Sequence, residues 1–139
     1  MNGVLADVNV QGHLPYLTQR LRSLAEWEIV NQEPHLAFVT FRDLGLNPRM
    51  EDRALWEYCQ ANGWVLFTED RNKDGPNSIE SALNDSWRTG CLPVLTLANK
   101  DRFERSSEYA DRVAKALAEI LFDIRYYKIC DQPRIYLPQ

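Results

Sequence analysis

The stretch Trp64-Val65-Leu66-Phe67-Thr68-Glu69-Asp70 is the most informative part of this chain for its fold. It begins as an unbroken apolar run of strand length and ends in two acids. Continuous apolarity is typical of a parallel strand that is covered on both faces. The preceding residues, Met50 to Asn62, carry apolar side chains at helical spacing, and Gly63 is well placed to end that helix. A helix that leads directly into a buried strand indicates an α/β unit.

Further strands and helices alternate with this unit along the chain. The sequence predicts strands at Val4 to Ala6, Trp27 to Val30, Phe38-Val39, Leu92 to Leu97 and, at an edge, Arg134 to Leu137. It predicts helices at His13 to Ala25, Phe41 to Leu46 (one turn), Ile79 to Trp87 and Tyr109 to Ile124, the last preceded by a capping box of Asp101 and Glu104. This order predicts one domain over residues 1–139, an α/β sandwich with a mainly parallel central sheet.

Composition narrows the class of protein. The chain has 139 residues, 45% of them hydrophobic, with 16 Lys and Arg against 20 Asp and Glu and a net charge of -4. That charge argues against a protein that coats duplex nucleic acid, but an enzyme with an acidic metal site is still allowed. The apolar runs are too short to cross a bilayer, and the first residues do not resemble a signal peptide. Three scattered cysteines and only two histidines disfavour a zinc site and favour reduced thiols. We therefore expect a cytoplasmic protein that does not enter a membrane.

Three groups of acids are predicted at one edge of the sheet. Asp7 ends the first strand, Asp70 is the last residue of the stretch quoted above, and Glu51-Asp52 opens the helix that precedes that stretch. Sites in open parallel sheets form beyond the carboxyl ends of the strands. Converging carboxylates repel one another unless a cation lies between them, and an all-oxygen set favours Mg²⁺ or Mn²⁺. Each acid alone could instead cap a turn or a helix, and spacing does not decide between these roles.

Four short segments lie in an order known from one family. They are Leu5-Ala6-Asp7-Val8-Asn9, Arg42-Asp43-Leu44-Gly45-Leu46, Asp52-Arg53-Ala54-Leu55 and Val65-Leu66-Phe67-Thr68-Glu69-Asp70. Together they resemble the PIN-like domains of short bacterial and archaeal proteins, relatives of the PIN nuclease toxins of toxin–antitoxin pairs. The resemblance covers nearly the whole chain, and it implies a three-layer α/β/α fold.

The resemblance also implies an activity, which is metal-dependent cleavage of RNA. The matching positions imply that Asp7, Asp52 and Asp70 hold Mg²⁺ or Mn²⁺, directly or through water. Asp74, or in its place Glu51, would complete the acidic site. The neighbouring hydrogen-bonding groups would be Asn9, Thr68 and Asn72.

The chain departs from the family at one point. The family pattern Thr-x-Asp-x-Asp-Phe expects an acid and an aromatic where this chain has Asn72 and Lys73. A neutral Asn72 lowers the affinity for a metal, so this departure affects the implied activity rather than the implied fold.

The sequence is also compatible with two other functions. One is a PIN-like protein-interaction module with a degenerate acidic edge, which Asn72 and the acidic net charge favour. A weaker one is a phosphatase of another α/β fold, for which the chain lacks an obvious nucleophile motif. The expected partners are RNA, an antitoxin-like protein and a second copy of the chain, the latter two implied only by the resemblance.

Overall fold

A computed structural model describes residues 1–69, 78–128 and 130–138. The strands in these residues are β1 (Gly3–Ala6), β2 (Ala37–Val39), β3 (Trp64–Thr68), β4 (Val94–Leu97) and β5 (Arg134–Leu137). The α-helices are α1 (Leu14–Arg22), α2 (Trp27–Val30), α3 (Phe41–Leu44), α4 (Asp52–Asn62), α5 (Ile79–Ser86), α6 (Lys100–Arg105) and α7 (Ser107–Phe122). A 3-10 turn, Gln11–His13, precedes α1, and a π-helical turn, Asp123–Tyr127, follows α7.

The five strands form one sheet in the order β2-β1-β3-β4-β5, and every neighbouring pair is parallel. All residues of β1, β3 and β4 are buried, as expected for strands covered on both faces. The predicted α/β class and parallel central sheet are therefore confirmed, and β5 lies at an edge as expected.

Alternate residues of the strands face two separate layers of helices. Val4, Ala6 and Phe67 pack into one apolar cluster with α1, α2, α6 and α7. Leu5 and Leu66 pack into the second cluster with α3, α4 and α5. This alternation gives the three-layer α/β/α arrangement.

One crossover differs in hand from the other three. The chain passes from β1 to β2 over the face that α1 covers. From β2 to β3 and from β3 to β4 it moves across the sheet in the opposite direction and over the opposite face. These three crossovers therefore share one hand. From β4 to β5 the chain keeps that direction but returns to the α7 face. The last crossover thus has the opposite hand, which is uncommon between parallel strands.

The predicted strand at Trp27 to Val30 is wrong, because these residues form the helix α2. Trp27 and Val30 are buried three positions apart, while Glu28 and Ile29 between them are exposed. Such a short apolar run fits either a strand or a helix turn, and packing against α7 selects the helix.

The predicted capping box of Asp101 and Glu104 is also wrong. The structure has two helices here, each with its own cap. The Asn99 side chain accepts a hydrogen bond from the backbone N–H of Arg102, and the Ser106 hydroxyl accepts one from that of Tyr109.

In the described residues no helix is long and apolar enough to span a membrane.

Candidate acidic site

Asp7 lies at the point where the order of the strands reverses. The chain leaves β1 towards β2 on one side and returns to β3 on the other, so the carboxyl ends of β1 and β3 flank the crevice typical of ligand sites in such sheets. We call the side of the sheet where the strands finish the carboxyl edge. Asp7 is the first residue after β1 on this edge.

Hydrogen bonds from Val8 and Thr68 orient the Asp7 carboxylate. Oδ1 accepts from the backbone N–H of Val8 at 2.7 Å, and Oδ2 accepts from the Thr68 hydroxyl at 3.0 Å. Asp7 is only 7% exposed, and Thr68 is fully buried.

The Asp7 side chain lies on the face of the sheet that α4 covers. Ala6 belongs to the α7 face, so alternation directs the next residue to the other face. The Cys59 thiol of α4 feels the Asp7 charge. Burial, together with the negative charge of Asp7, raises the pKa of Cys59 to about 12. Helix α4 therefore forms a wall of the candidate site.

The geometry of α4 brings Asp52 to the same edge. A single residue, Gly63, connects α4 to β3, and its left-handed conformation reverses the chain there. The 11 residues of α4 rise about 16 Å, and the 5 residues of β3 span about the same length. Asp52, the first residue of α4, therefore lies level with the end of β3. It is partly buried, whereas Glu51 is exposed and makes no side-chain cap.

The other predicted site residues are not all brought together. Asn9 is exposed in the turn after Asp7. Asp70, Asn72 and Asp74 lie outside the described residues. Within the residues that are described, no three His, Cys, Asp or Glu side chains form a group able to hold a metal ion. The structure thus brings Asp7 and Thr68 into contact and places Asp52 at their edge.

A lysine at the same edge was not predicted from the sequence. The Lys100 ammonium donates to Glu69 Oε1 at 2.9 Å, and this bond raises the pKa of Lys100. Glu69 follows β3, and Lys100 begins α6 shortly after β4. The position of Lys100 shortly after a buried strand could have marked it as a residue of the carboxyl edge. Its partner depends on β3 and β4 being neighbours, which sequence spacing does not reveal.

A second unpredicted feature is a buried threonine beside Thr68. Thr96 of β4 is the register partner of Thr68, and both are fully buried. Arg134 of the edge strand donates from Nη1 to the Thr96 hydroxyl at 2.9 Å, and its Nε lies 3.0 Å from Glu80 Oε1. A row of polar groups therefore extends from Asp7 across the sheet towards β5.

No family model matches this chain, and neither a curated protein nor a solved structure matches it. The PIN-like resemblance therefore remains a hypothesis that depends on the four segments named above. The geometry of the acidic edge is an observation independent of that resemblance.

Proposed function

We propose that this protein is a Mg²⁺- or Mn²⁺-dependent endoribonuclease of PIN-like type, with its site at the carboxyl edge. The observation that supports this most is the Asp7 carboxylate. It is buried at the crevice between β1 and β3 and is oriented by Thr68 at 3.0 Å. Burying a carboxylate costs free energy, and buried charges of this kind are typical of functional sites that use the charge.

The donor set suits a hard cation. Asp7 and Asp52 offer carboxylate oxygens at one edge, and Asp70 is the third ligand of the proposal, with Asp74 or Glu51 completing the set. Soft metals are therefore disfavoured relative to Mg²⁺ or Mn²⁺.

The chain's own groups would orient the reacting parts. When bound, such an ion supplies a more acidic water and charge stabilisation at a phosphodiester oxygen. Thr68 would keep the Asp7 oxygens in a fixed direction through its hydrogen bond. Lys100, held by Glu69 at this edge, would place a positive charge where an RNA phosphate approaches.

A second candidate is an interaction module that keeps the fold without the activity. It is favoured by Asn72, which stands where the family pattern has an acid, and by the net charge of -4. This candidate predicts that the folded protein binds Mn²⁺ weakly or not at all.

Calorimetric titration with Mn²⁺ tests the proposal first. We expect the wild type to bind the ion and Asp7→Asn to lose binding, because the substitution removes a charged ligand. Asp131→Asn is the matched control, since Asp131 is exposed and precedes β5 at the opposite edge of the sheet. Circular dichroism establishes that each variant is folded.

An RNA-cleavage assay with added Mn²⁺ then tests the chemistry. Cleavage by the wild type and by Asp131→Asn, but not by Asp7→Asn, is the expected result. Cleavage that persists in well-purified, folded Asp7→Asn protein would contradict the assignment of Asp7. If the folded wild type binds no Mn²⁺, the interaction module becomes the better account.

A further inference from the structure

An apolar groove lies far from the acidic site, between α2 and the end of α7. Its volume is about 470 Å³, and its apolar lining comes from Ile29, Val30, Ala118 and Phe122. Helix α7 begins after β4 and ends before β5, and α2 precedes β2, so the groove lies towards the amino ends of the strands. Ile29 is 55% exposed, which is unusual for so large an apolar side chain beside other apolar groups.

Carboxylates surround this apolar floor. Glu26, Glu119 and Asp123 line the groove, and among the described residues no Lys, Arg or His lines it. All three acids are exposed, and none forms an ion pair within the described part of the chain. Arg125 follows Asp123 closely, but its guanidinium donates to backbone carbonyls of the segment 30–34. The groove therefore combines an apolar floor with an unbalanced negative rim.

Exposed aromatic side chains extend the same surface. Tyr126 and Tyr127 are 41% and 63% exposed, and their rings contact Phe122 with centroids 5.0 and 5.6 Å apart. The Tyr126 hydroxyl donates to the carbonyl of Ile29 at 2.7 Å, which ties the tyrosine to α2. Both tyrosines lie in the π-helical turn, an irregularity that is frequent at functional sites. Tyrosine is also enriched in protein interfaces.

We propose that this α2–α7 groove docks an amphipathic segment of a partner protein, with apolar side chains on one face and Lys or Arg beside them. The apolar face would cover Ile29 and Phe122, and the cations would pair with the acidic rim. RNA and anionic lipid surfaces carry negative charge and would be repelled. A symmetric contact between two copies would bring the same acids together, which is unfavourable.

Synthetic helical peptides provide the test, with binding measured by fluorescence anisotropy. One peptide carries leucines at i, i+3, i+4 and i+7 flanked by lysines, and its matched partner has glutamates in place of the lysines. We expect the lysine peptide to bind the wild type at least about tenfold more tightly than the glutamate peptide. The double variant Glu119→Lys/Asp123→Lys should reverse that preference.

Two controls separate the groove from general charge attraction. The variant Glu57→Lys/Glu108→Lys changes the net charge equally at exposed positions that do not line the groove or the pocket beside it, and it should keep the wild-type preference. Ile29→Ser should weaken binding of the lysine peptide, because it removes an exposed apolar contact without touching the core.

Several results would overturn the proposal. They are absence of binding by the lysine peptide, equal effects of the two charge-reversed variants, and unchanged affinity in Ile29→Ser. A dimer in sedimentation that Ile29→Ser dissociates would assign the groove to a second copy instead. Binding of anionic vesicles through the groove would assign it to a membrane surface.

Discussion

Asp7 combines two properties that rarely coexist, a buried position and a charge. Its carboxylate is 7% exposed, yet Val8 and Thr68 supply donors to both of its oxygens. Charge-assisted hydrogen bonds of this kind offset the loss of water around a carboxylate. At the scale of the residue, the candidate site thus depends on Thr68 as much as on the acid.

The Cys59 thiol predicts a dependence of stability on alkaline pH. Its pKa rises from 9.0 to about 12 on folding, so the unfolded chain loses this proton first as the pH increases. The contribution of the buried, protonated thiol to the free energy of unfolding is therefore fully present below pH 9 and is lost between pH 9 and 12. We expect a loss of about 2 kcal/mol in the free energy of unfolding by pH 10.5 from this group alone.

Urea unfolding at several pH values checks this expectation. Cys59→Ala should be less stable than the wild type at pH 7.5, because it leaves a cavity, but its stability should fall less steeply above pH 9. Leu55→Ala is the control, since it also removes a buried side chain of α4 and leaves the thiol in place. Equal pH slopes in the two variants would contradict the interpretation.

At the scale of elements, Gly3 controls how closely β1 and β2 approach. Its φ is 150°, and a Cβ built there would lie 1.9 Å from the carbonyl oxygen of Ala37, its register partner. Gly3→Ala should therefore force the two strands apart and lower the free energy of unfolding by about 3 kcal/mol. Urea unfolding measures the loss, and faster amide exchange in β2 locates it.

Gly12→Ala is the matched control for Gly3→Ala. A Cβ at Gly12 would meet nothing within 4 Å. Its effect on the free energy of unfolding should stay within about 1 kcal/mol. Similar losses in the two alanine variants would show that crowding against Ala37 is not the cause.

At the scale of the whole molecule, Arg125 connects two segments that lie more than 90 residues apart in the chain. Its guanidinium donates to the carbonyls of Val30, Gln32 and Pro34 at 3.1, 2.6 and 2.5 Å. These bonds tie the turn after α7 to the segment that leads into β2.

Arg125→Met should lower the free energy of unfolding by about 2 kcal/mol, because three carbonyls lose a charged donor. The control is Arg105→Met. Arg105 is exposed, and its side chain makes no hydrogen bond or ion pair with the described residues. Thermal unfolding compares them, and equal midpoints would show that the Arg125 contacts contribute little.

The two candidate surfaces lie towards opposite ends of the strands. The acidic site uses the carboxyl ends of β1 and β3, whereas the groove is built from α2 and the last turns of α7. A substitution in one surface therefore leaves the residues of the other surface unchanged, and the two proposals can be tested separately.

Local sequence patterns were sufficient for much of this architecture. The buried strand at Trp64 to Thr68, the helix before it and the end of that helix at Gly63 were all predicted, because each signal lies within a few adjacent residues. The position of Asp7 at the end of a strand followed in the same way. What Asp7 does there is still a prediction.

Tertiary structure decided what depends on residues far apart in the chain. Trp27 to Val30 became a helix because α7 covers it, and the hand of the last crossover depends on the face that α7 occupies. The contacts between Lys100 and Glu69 and between Arg134 and Thr96 require particular strands to be neighbours. The acidic groove likewise exists only where α2 and α7 meet. Spacing along the chain carries no record of such neighbours, since the packing energy that selects them comes from the assembled core.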